Sequence, residues 1–148
     1  MAVLSAQSIK RAGVLKPCLD AYKDKAGNSA GLGPCGYDLT VDQDVMIWPG
    51  RFALASTVER FNLPDDVVAI VHDKSSLARR GLAVQNTVAE PGWRGHLTLE
   101  LTCHGRDPIT LRKGDAVAQA IFHRLDEPTD RPYAGKYQDQ ERGPQESR

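Results

Sequence analysis

The sequence lacks three features that would each assign a protein to a broad class. Lys and Arg together number 19, as do Asp and Glu, so no net charge favours nucleic acid as a partner. The three cysteines are widely spaced and odd in number, which fits a reducing cytoplasm better than a disulfide framework. No apolar run resembles a signal peptide or has membrane-spanning length. We therefore expect a cytoplasmic protein that binds neither nucleic acid nor membrane.

The histidines and cysteines also lack the spacing that a zinc-dependent nucleobase deaminase requires. Such enzymes hold their metal with an H-x-E pair and a P-C-x-x-C pair. None of the four histidines begins an H-x-E pair, and no C-x-x-C occurs. No Ser-His-Asp order and no glycine-rich phosphate loop stands out either. We therefore expect no zinc chemistry of this kind.

What the sequence does contain is a series of short apolar segments separated by turns. Ser5 can cap a short helix that Gly13 would end. Residues 24–36 are rich in Gly, Ser, Asn and Pro, which predicts a loop. The predicted strands that follow lie at 37–41, 45–47, 52–54, 67–71, 97–101, 109–111 and 117–122. Strands this short, with Pro and Gly turns between them, indicate an all-β sandwich or jelly roll of one domain.

The composition changes at Asp126, which divides the chain into a β domain (residues 1–125) and a tail (residues 126–148). The tail is rich in charged residues and proline, so by itself it would be poorly ordered. It nevertheless contains two tyrosines, a lysine and two glutamines within residues 133–140. Composition leaves two alternatives open: a solvated tail without a role, or a flap that becomes ordered over a bound anion.

Residues 74–81 combine hydroxyl groups and a cation at the start of a predicted helical turn. The N-terminus of a helix attracts anions, and the hydroxyls of Ser75 and Ser76 can add hydrogen-bond donors. Arg79 lies on the same face as Ser75 and can bind an oxyanion with two parallel hydrogen bonds. The segment is therefore a candidate phosphate site. An ordinary capped turn with a surface arginine is the alternative, and the commoner use of such residues.

Glu100 belongs to a predicted strand with two unlike faces. Leu97, Leu99 and Leu101 share one face, which places Glu100 on the other. If that face is covered, burial would raise the pKa of the Glu100 carboxyl towards the range that is useful for proton transfer. The alternative is an exposed strand face, which the neighbouring His96 also fits.

Two further candidates come shortly before this strand. Trp93 lies between Gly92 and Gly95, where the chain must bend, and can form a flat wall against a sugar or base. An ordinary buried tryptophan is the alternative. Glu90 can bind a sugar hydroxyl or polarise a water molecule, or it can be a solvated acid in a turn.

Taken in order, these segments resemble the dCTP deaminase branch of the dUTPase-like superfamily. The resemblance runs nearly end to end. It is carried by VLSAQSI (3–9), GYDL (36–39), LASTVE (54–59), LPDD (63–66), KSSLARRG (74–81), PGWRG (91–95), LE (99–100) and GKYQDQ (135–140). One such motif would be weak, whereas this many in order are specific to the superfamily.

The resemblance implies a distorted jelly roll with a short N-terminal helix, assembled as a homotrimer with active sites between subunits. It implies the zinc-independent hydrolysis of dCTP to dUTP and ammonia, with Mg²⁺ bound through the triphosphate. Glu100 would be the acid/base, Trp93 would pack on the sugar, and the tail would close over the phosphates. The implied catalytic residues are Glu100, Ser75 and Arg79. The implied substrate-binding residues are Lys74, Ser76, Thr87, Glu90, Trp93, Tyr133, Lys136 and Gln140.

Two departures from the family pattern affect base recognition and water placement. The segment 85–90 is about two residues shorter than its counterpart, and Glu90 stands where the family usually has Asp. Alternatives to a deaminase are therefore a dUTPase, in which an acid at the position of Glu90 activates water for attack on phosphorus, and a bifunctional enzyme that forms dUMP from dCTP. A further alternative is a regulator that binds deoxynucleotides without turnover. The expected partner in every case is a deoxynucleoside triphosphate, with dCTP first and dUTP or dTTP as the other candidates.

Overall fold

A computed structural model of the protein describes residues 2–147 and consists mainly of β-strands. The strands are β1 (Ala2–Val3), β2 (Leu15–Lys16), β3 (Tyr22–Lys23), β4 (Ser29–Gly33), β5 (Gly36–Thr40), β6 (Val45–Ile47), β7 (Phe52–Asn62), β8 (Val67–Asp73), β9 (Leu82–Val84), β10 (Val88–Ala89), β11 (Arg94–Cys103), β12 (Ile109–Leu111) and β13 (Ala116–Arg124). The helices are α1 (Ala6–Ala12) and α2 (Ser75–Ala78). No helix within residues 2–147 is long and apolar enough to cross a membrane.

Two antiparallel sheets enclose one hydrophobic core. The larger sheet has the order β10-β8-β13-β5-β4-β3, with β1 also paired to β13, and the smaller has the order β2-β7-β11-β9. A separate ribbon joins β12 to β6. Phe61 of the smaller sheet meets Phe122 of the larger one, with 6.2 Å between ring centroids, and neither side chain is exposed. The prediction of an all-β sandwich is therefore confirmed.

The N-terminal helix is confirmed at both ends. Ser5 takes the N-cap position, although its hydroxyl contacts Ser8 rather than the helix backbone. Gly13 adopts a left-handed conformation, with φ at 62°, and its N–H donates to the carbonyl of Ile9. A glycine suits this position because a Cβ atom is disfavoured there.

The prediction that residues 24–36 form a loop is wrong. Only the ends of this segment are turns, and Ser29–Gly33 forms β4, which pairs with both β3 and β5. Gly31 has a φ of 78°, and a Cβ atom there would lie 2.5 Å from the carbonyl oxygen of Asp20. This glycine therefore permits a close approach of two backbones inside a strand, which composition alone does not distinguish from a turn.

The strand that was expected at Phe52 and Leu54 is longer than predicted and continues to Asn62. Phe52 remains 59% exposed, whereas the buried part of β7 begins at Ala55. Strand β7 pairs with β11 along most of the length of β11, so it is the neighbouring strand beside Glu100.

A buried acid, Glu59, links the two sheets. Its side chain is 1% exposed and accepts hydrogen bonds from the backbone N–H and the hydroxyl of Thr40, both at 2.9 Å. Burial is the largest cause that raises the pKa of this carboxyl from 4.5 to about 7, against the opposing effect of the Thr40 hydrogen bonds. Glu59 is therefore a titratable group of the core.

Candidate active site

A cavity of about 610 Å³ lies between β11, the segment 85–90 and the C-terminal tail. Six of the predicted site residues line it, namely Thr87, Glu90, Trp93, Glu100, Tyr133 and Gln140. Among its other lining residues are Phe52, Leu54, Asn86, Leu97, Thr98, Tyr137 and Gln145. The structure thus brings the predicted acid/base, the aromatic wall and part of the tail together in one place.

Glu100 reaches this cavity because of the alternation along β11. Leu99 and Leu101 are fully buried in the core, as predicted, and Glu100 points to the opposite face. Leu97, which the sequence places on the same face as Leu99, is only half-buried and lines the cavity, next to a shift in the β7–β11 register between His96 and Thr98. On that face it lies directly across from Leu54 of β7 and is half-buried. A carboxylate in a partly apolar cavity, held on a central strand, is well placed to exchange protons with a bound molecule.

Trp93 is a buried core residue that also borders the cavity. The ring is 4% exposed and packs against Phe61, with 5.7 Å between centroids. It also lines the cavity, and its Nε1–H donates to the carbonyl of Tyr137 at 2.8 Å. The indole is therefore a core residue whose remaining surface forms a fixed wall of the cavity.

The tail is attached to the strand that carries Glu100. The N–H of His96 donates to the carbonyl of Gln140 at 2.8 Å, and the Gln140 side-chain amide donates to Thr98 Oγ1 at 2.7 Å. At Gly95 a Cβ atom would lie 2.7 Å from the backbone nitrogen of Gln140. Residues around 140 therefore extend the sheet edge beside the cavity, which was not predicted.

An ion pair fixes the same part of the tail from outside. Asp139 accepts two hydrogen bonds from Arg94, at 2.6 and 2.9 Å, and a third from Arg60 at 3.1 Å. The hydrogen bond from Arg94 is the largest cause that lowers the pKa of the Asp139 carboxyl. Because the two side chains are exposed, this pair directs the tail more than it stabilises the fold.

The predicted phosphate motif lies elsewhere. Ser75, Ser76 and Arg79 are exposed on and just after α2, and none of them lines the cavity. Lys136 also lies outside it, with its ammonium 5.1 Å from the ring centroid of Tyr137. The helical turn itself is confirmed, but a single chain does not bring these groups to Glu100.

Lys74 has a different environment from the one expected of a substrate-binding residue. Its ammonium lies 3.0 Å from a carboxylate oxygen of Asp38, and both side chains are about nine-tenths buried. A buried ammonium needs a charged partner of this kind. The pair joins the start of α2 to β5, so Lys74 positions the turn from inside the protein.

The cavity is acidic. Glu90, Glu100 and Glu146 line it, and no Lys or Arg does so among the residues that the structure describes. A triphosphate requires cationic or N–H donors, because otherwise the carboxylates would repel it. Among the described residues, the cavity of one chain therefore contains no cation that could bind an anionic group.

Sequence reasoning missed Asn86, which is half-buried and lines the cavity. Its side-chain amide donates to the carbonyl of Thr98 and accepts from the N–H of Glu100. The sequence contains one indication of an unusual site here, the short length of the segment 85–90. That length did not single out Asn86 within the segment.

Comparisons with known proteins point to one family. Residues 38–125 match the model of a family described as dCTP deaminase-like. A dCTP deaminase of Thermococcus gammatolerans is 40% identical over 122 residues, which cover 72% of this chain and 78% of that protein. A protein of Methanopyrus kandleri named dCTP deaminase, dUMP-forming, is 40% identical over 134 residues, which cover 86% of this chain and 66% of that protein.

Solved structures support the same fold. The EIAV dUTPase superposes with a TM-score of 0.57 at 27% identity, over 68% of this chain and 84% of that chain. The 2'-deoxycytidine 5'-triphosphate deaminase of Agrobacterium tumefaciens gives a TM-score of 0.67 at 20% identity, over 84% of this chain and 49% of that chain. The expected dUTPase-like fold is therefore confirmed, and the chain belongs to the dCTP deaminase-like family.

Proposed function

We propose that this protein hydrolyses dCTP to dUTP and ammonia, without zinc. The observation that carries the proposal is the position of Glu100, half-buried in a cavity beside Trp93 and Thr87 in a member of this family. Relatives at about 40% identity bear the name dCTP deaminase, which supports the same reaction here.

In this reaction Glu100 acts as both base and acid. Its carboxylate accepts a proton from water as the water oxygen bonds to C4 of cytosine, and passes that proton to the ring nitrogen N3. The hydroxyl proton of the tetrahedral intermediate then moves through Glu100 to the exocyclic amine. The C4–N bond breaks, N3 keeps its proton, ammonia leaves, and the carboxylate is restored.

The other cavity residues hold the substrate. The face of Trp93 packs against the deoxyribose or the base, and the segment with Thr87 and Glu90 borders the pyrimidine. Tyr133 and Gln140 cover the nucleotide from the side of the tail, with Lys136 near the phosphates. Trp93 and Gln140 are already fixed by hydrogen bonds in the structure, so little ordering is needed at these positions.

The phosphates need cations in addition to Lys136, and a second copy of the chain can supply them. Because no Lys or Arg lines the cavity within the described residues, we propose that Ser75, Ser76 and Arg79 of a neighbouring copy complete it, in a homotrimer. Mg²⁺ would be held mainly by the phosphate oxygens and water, as is usual for this ion.

The test is to incubate the protein separately with dCTP and with dUTP, each with Mg²⁺, and to assay ammonia and pyrophosphate. Ammonia from dCTP is the expected product. Pyrophosphate from dUTP without ammonia from dCTP would identify a dUTPase instead. Tight nucleotide binding with neither product would favour a regulator.

A bifunctional enzyme that forms dUMP is the second candidate. Glu90 and Glu100 line the same cavity, so one carboxylate can serve the base and the other the phosphate chain. The Methanopyrus relative carries the dUMP-forming name. Ammonia and pyrophosphate released together from dCTP would favour this candidate.

A further inference from the structure

The chain changes sheets at Asn86. Strand β9 pairs with β11 up to the partners Val84 and Leu101, and the N–H of Gln85 continues this ladder by donating to the carbonyl of Glu100 at 2.8 Å. The main chain then leaves β11 and joins the other sheet. There the carbonyl of Thr87 accepts a hydrogen bond from the N–H of Val71. Among the described residues, the next two polar groups on this edge of β11, the N–H of Glu100 and the carbonyl of Thr98, are bonded by a side chain rather than by the main chain.

The side chain of Asn86 takes over as the next rung of the ladder. Its Nδ2 donates to the carbonyl of Thr98 at 2.7 Å, and its Oδ1 accepts from the N–H of Glu100 at 3.0 Å. The orientation of the amide is fixed by its partners, because a carbonyl can only accept and an N–H can only donate. The amide therefore imitates a peptide group and closes the edge of β11.

Both backbone polar groups of Glu100 are thereby paired with residues 85 and 86. On its other side, Glu100 is opposite Leu54 in the ladder with β7. We infer that Asn86 is a positioning residue, which holds the backbone of Glu100 and the 85–90 segment in register across the cavity. The inference rests on the proposed function, since it assigns Asn86 to the reaction that Glu100 performs.

Few side chains could take this place. Alanine would leave the Thr98 carbonyl and the Glu100 N–H unpaired. An ionised aspartate would accept from Glu100 but would oppose the carbonyl of Thr98 with a second acceptor, and would add a negative charge near Glu100. A protonated aspartic acid restores one donor and one acceptor in almost the same volume.

The experiment compares ammonia release by the wild type and by Asn86→Ala, Asn86→Asp and Gln85→Ala, from about pH 5 to about pH 8, the range in which a crowded carboxyl titrates. We expect Asn86→Ala to lower kcat about 10- to 100-fold with KM changed less than about 3-fold, because the reacting groups are misplaced while the phosphate contacts remain. The kcat of Asn86→Asp should equal that of Asn86→Ala at high pH, and it should rise towards the wild-type value as pH falls. Gln85→Ala, which keeps its backbone bond to Glu100, should resemble the wild type.

Two results would overturn the inference, and each is distinguishable from a failure of the proposed function. One is an active wild type with Asn86→Ala within about 3-fold of its kcat. The other is an Asn86→Asp variant that follows Asn86→Ala at every pH. A wild type that releases no ammonia would remove the proposed function, and the positioning role with it. If Asn86→Ala does not fold, the nearly isosteric Asn86→Asp and its pH profile decide the question.

Discussion

At the scale of single residues, Glu100 and Glu59 show how the environment of a carboxyl determines its use. Glu100 is half-buried and faces the cavity, whereas Glu59 is enclosed in the core and bonded to Thr40. Substituting each by glutamine removes the carboxyl group while it keeps the shape of the side chain. The two substitutions should therefore have unrelated effects, one on catalysis and the other on stability.

Glu100→Gln is expected to lower ammonia release from dCTP by at least about 100-fold, since general acid–base catalysis is lost. Binding of dCTP, measured by calorimetry, should persist because the cavity walls are unchanged. The control is Glu127→Gln, which removes an exposed acid outside the cavity and should retain full activity. Normal turnover in Glu100→Gln would exclude Glu100 from the mechanism.

Glu59→Gln is expected to change how the free energy of unfolding depends on pH. The pKa of Glu59 is raised to about 7 in the folded protein from its ordinary value of 4.5. Its proton therefore stabilises the fold at acidic pH, and this contribution, up to about 3 kcal/mol, is lost as pH rises through about 7. Urea unfolding near pH 5 and near pH 8 should show the variant gaining stability relative to the wild type at the higher pH. If the free energies of unfolding of the two proteins differ by the same amount at both pH values, the raised pKa of Glu59 is contradicted.

At the scale of elements, the sequence predicted the strands and the helix whose residue pattern lies within a single segment. The alternation in β11 and the capped helix α1 follow from residue spacing within one segment. The prediction of a loop at 24–36 was wrong because Gly31 permits a close approach to the backbone of Asp20. Asp20 lies outside the segment, so the residues of the segment alone do not reveal this contact. The bond between Asn86 and Glu100 spans 14 residues and two strands, so it too depends on tertiary structure.

The docking of the tail gives a prediction for one element. Gly95→Ala would place a Cβ atom 2.7 Å from the backbone nitrogen of Gln140, so the tail must move away from β11. We expect faster proteolysis of the tail and an affinity for dCTP that falls about 10-fold, or about 1.4 kcal/mol. Removing residues 133–148 should weaken binding at least as much.

The matched control for this element is Gly114→Ala. It also adds a Cβ atom at a positive φ, 92°, but no heavy atom of the described residues, apart from its chain neighbours, lies within 4 Å. It should therefore reproduce the backbone strain without displacing the tail. Equal dCTP affinity in Gly95→Ala and the wild type would show that the tail contributes nothing to binding.

At the scale of the whole molecule, the separation of the acid from the cations is the main feature. The cavity with Glu100 has no Lys or Arg among its described lining residues, and Arg79 is exposed at α2 outside it. Light scattering should give the mass of a trimer if α2 of one copy completes the cavity of another. A monomer with full activity would require the tail, rather than a second copy, to supply the positive charge.

A mixing experiment tests which copy supplies each group. Glu100→Gln and Arg79→Ala are each expected to be nearly inactive alone, since every site then lacks one group. In mixed trimers, a site that takes Glu100 from an Arg79→Ala chain and Arg79 from a Glu100→Gln chain is complete. Random assembly from equal amounts leaves about one site in four intact, so co-refolded chains should recover about a quarter of the wild-type rate. The double variant mixed with Glu100→Gln is the control and should stay inactive, because neither chain carries Glu100. No recovery in the first mixture would mean that both groups act within one chain. In that case α2 would have to move towards the cavity of its own chain.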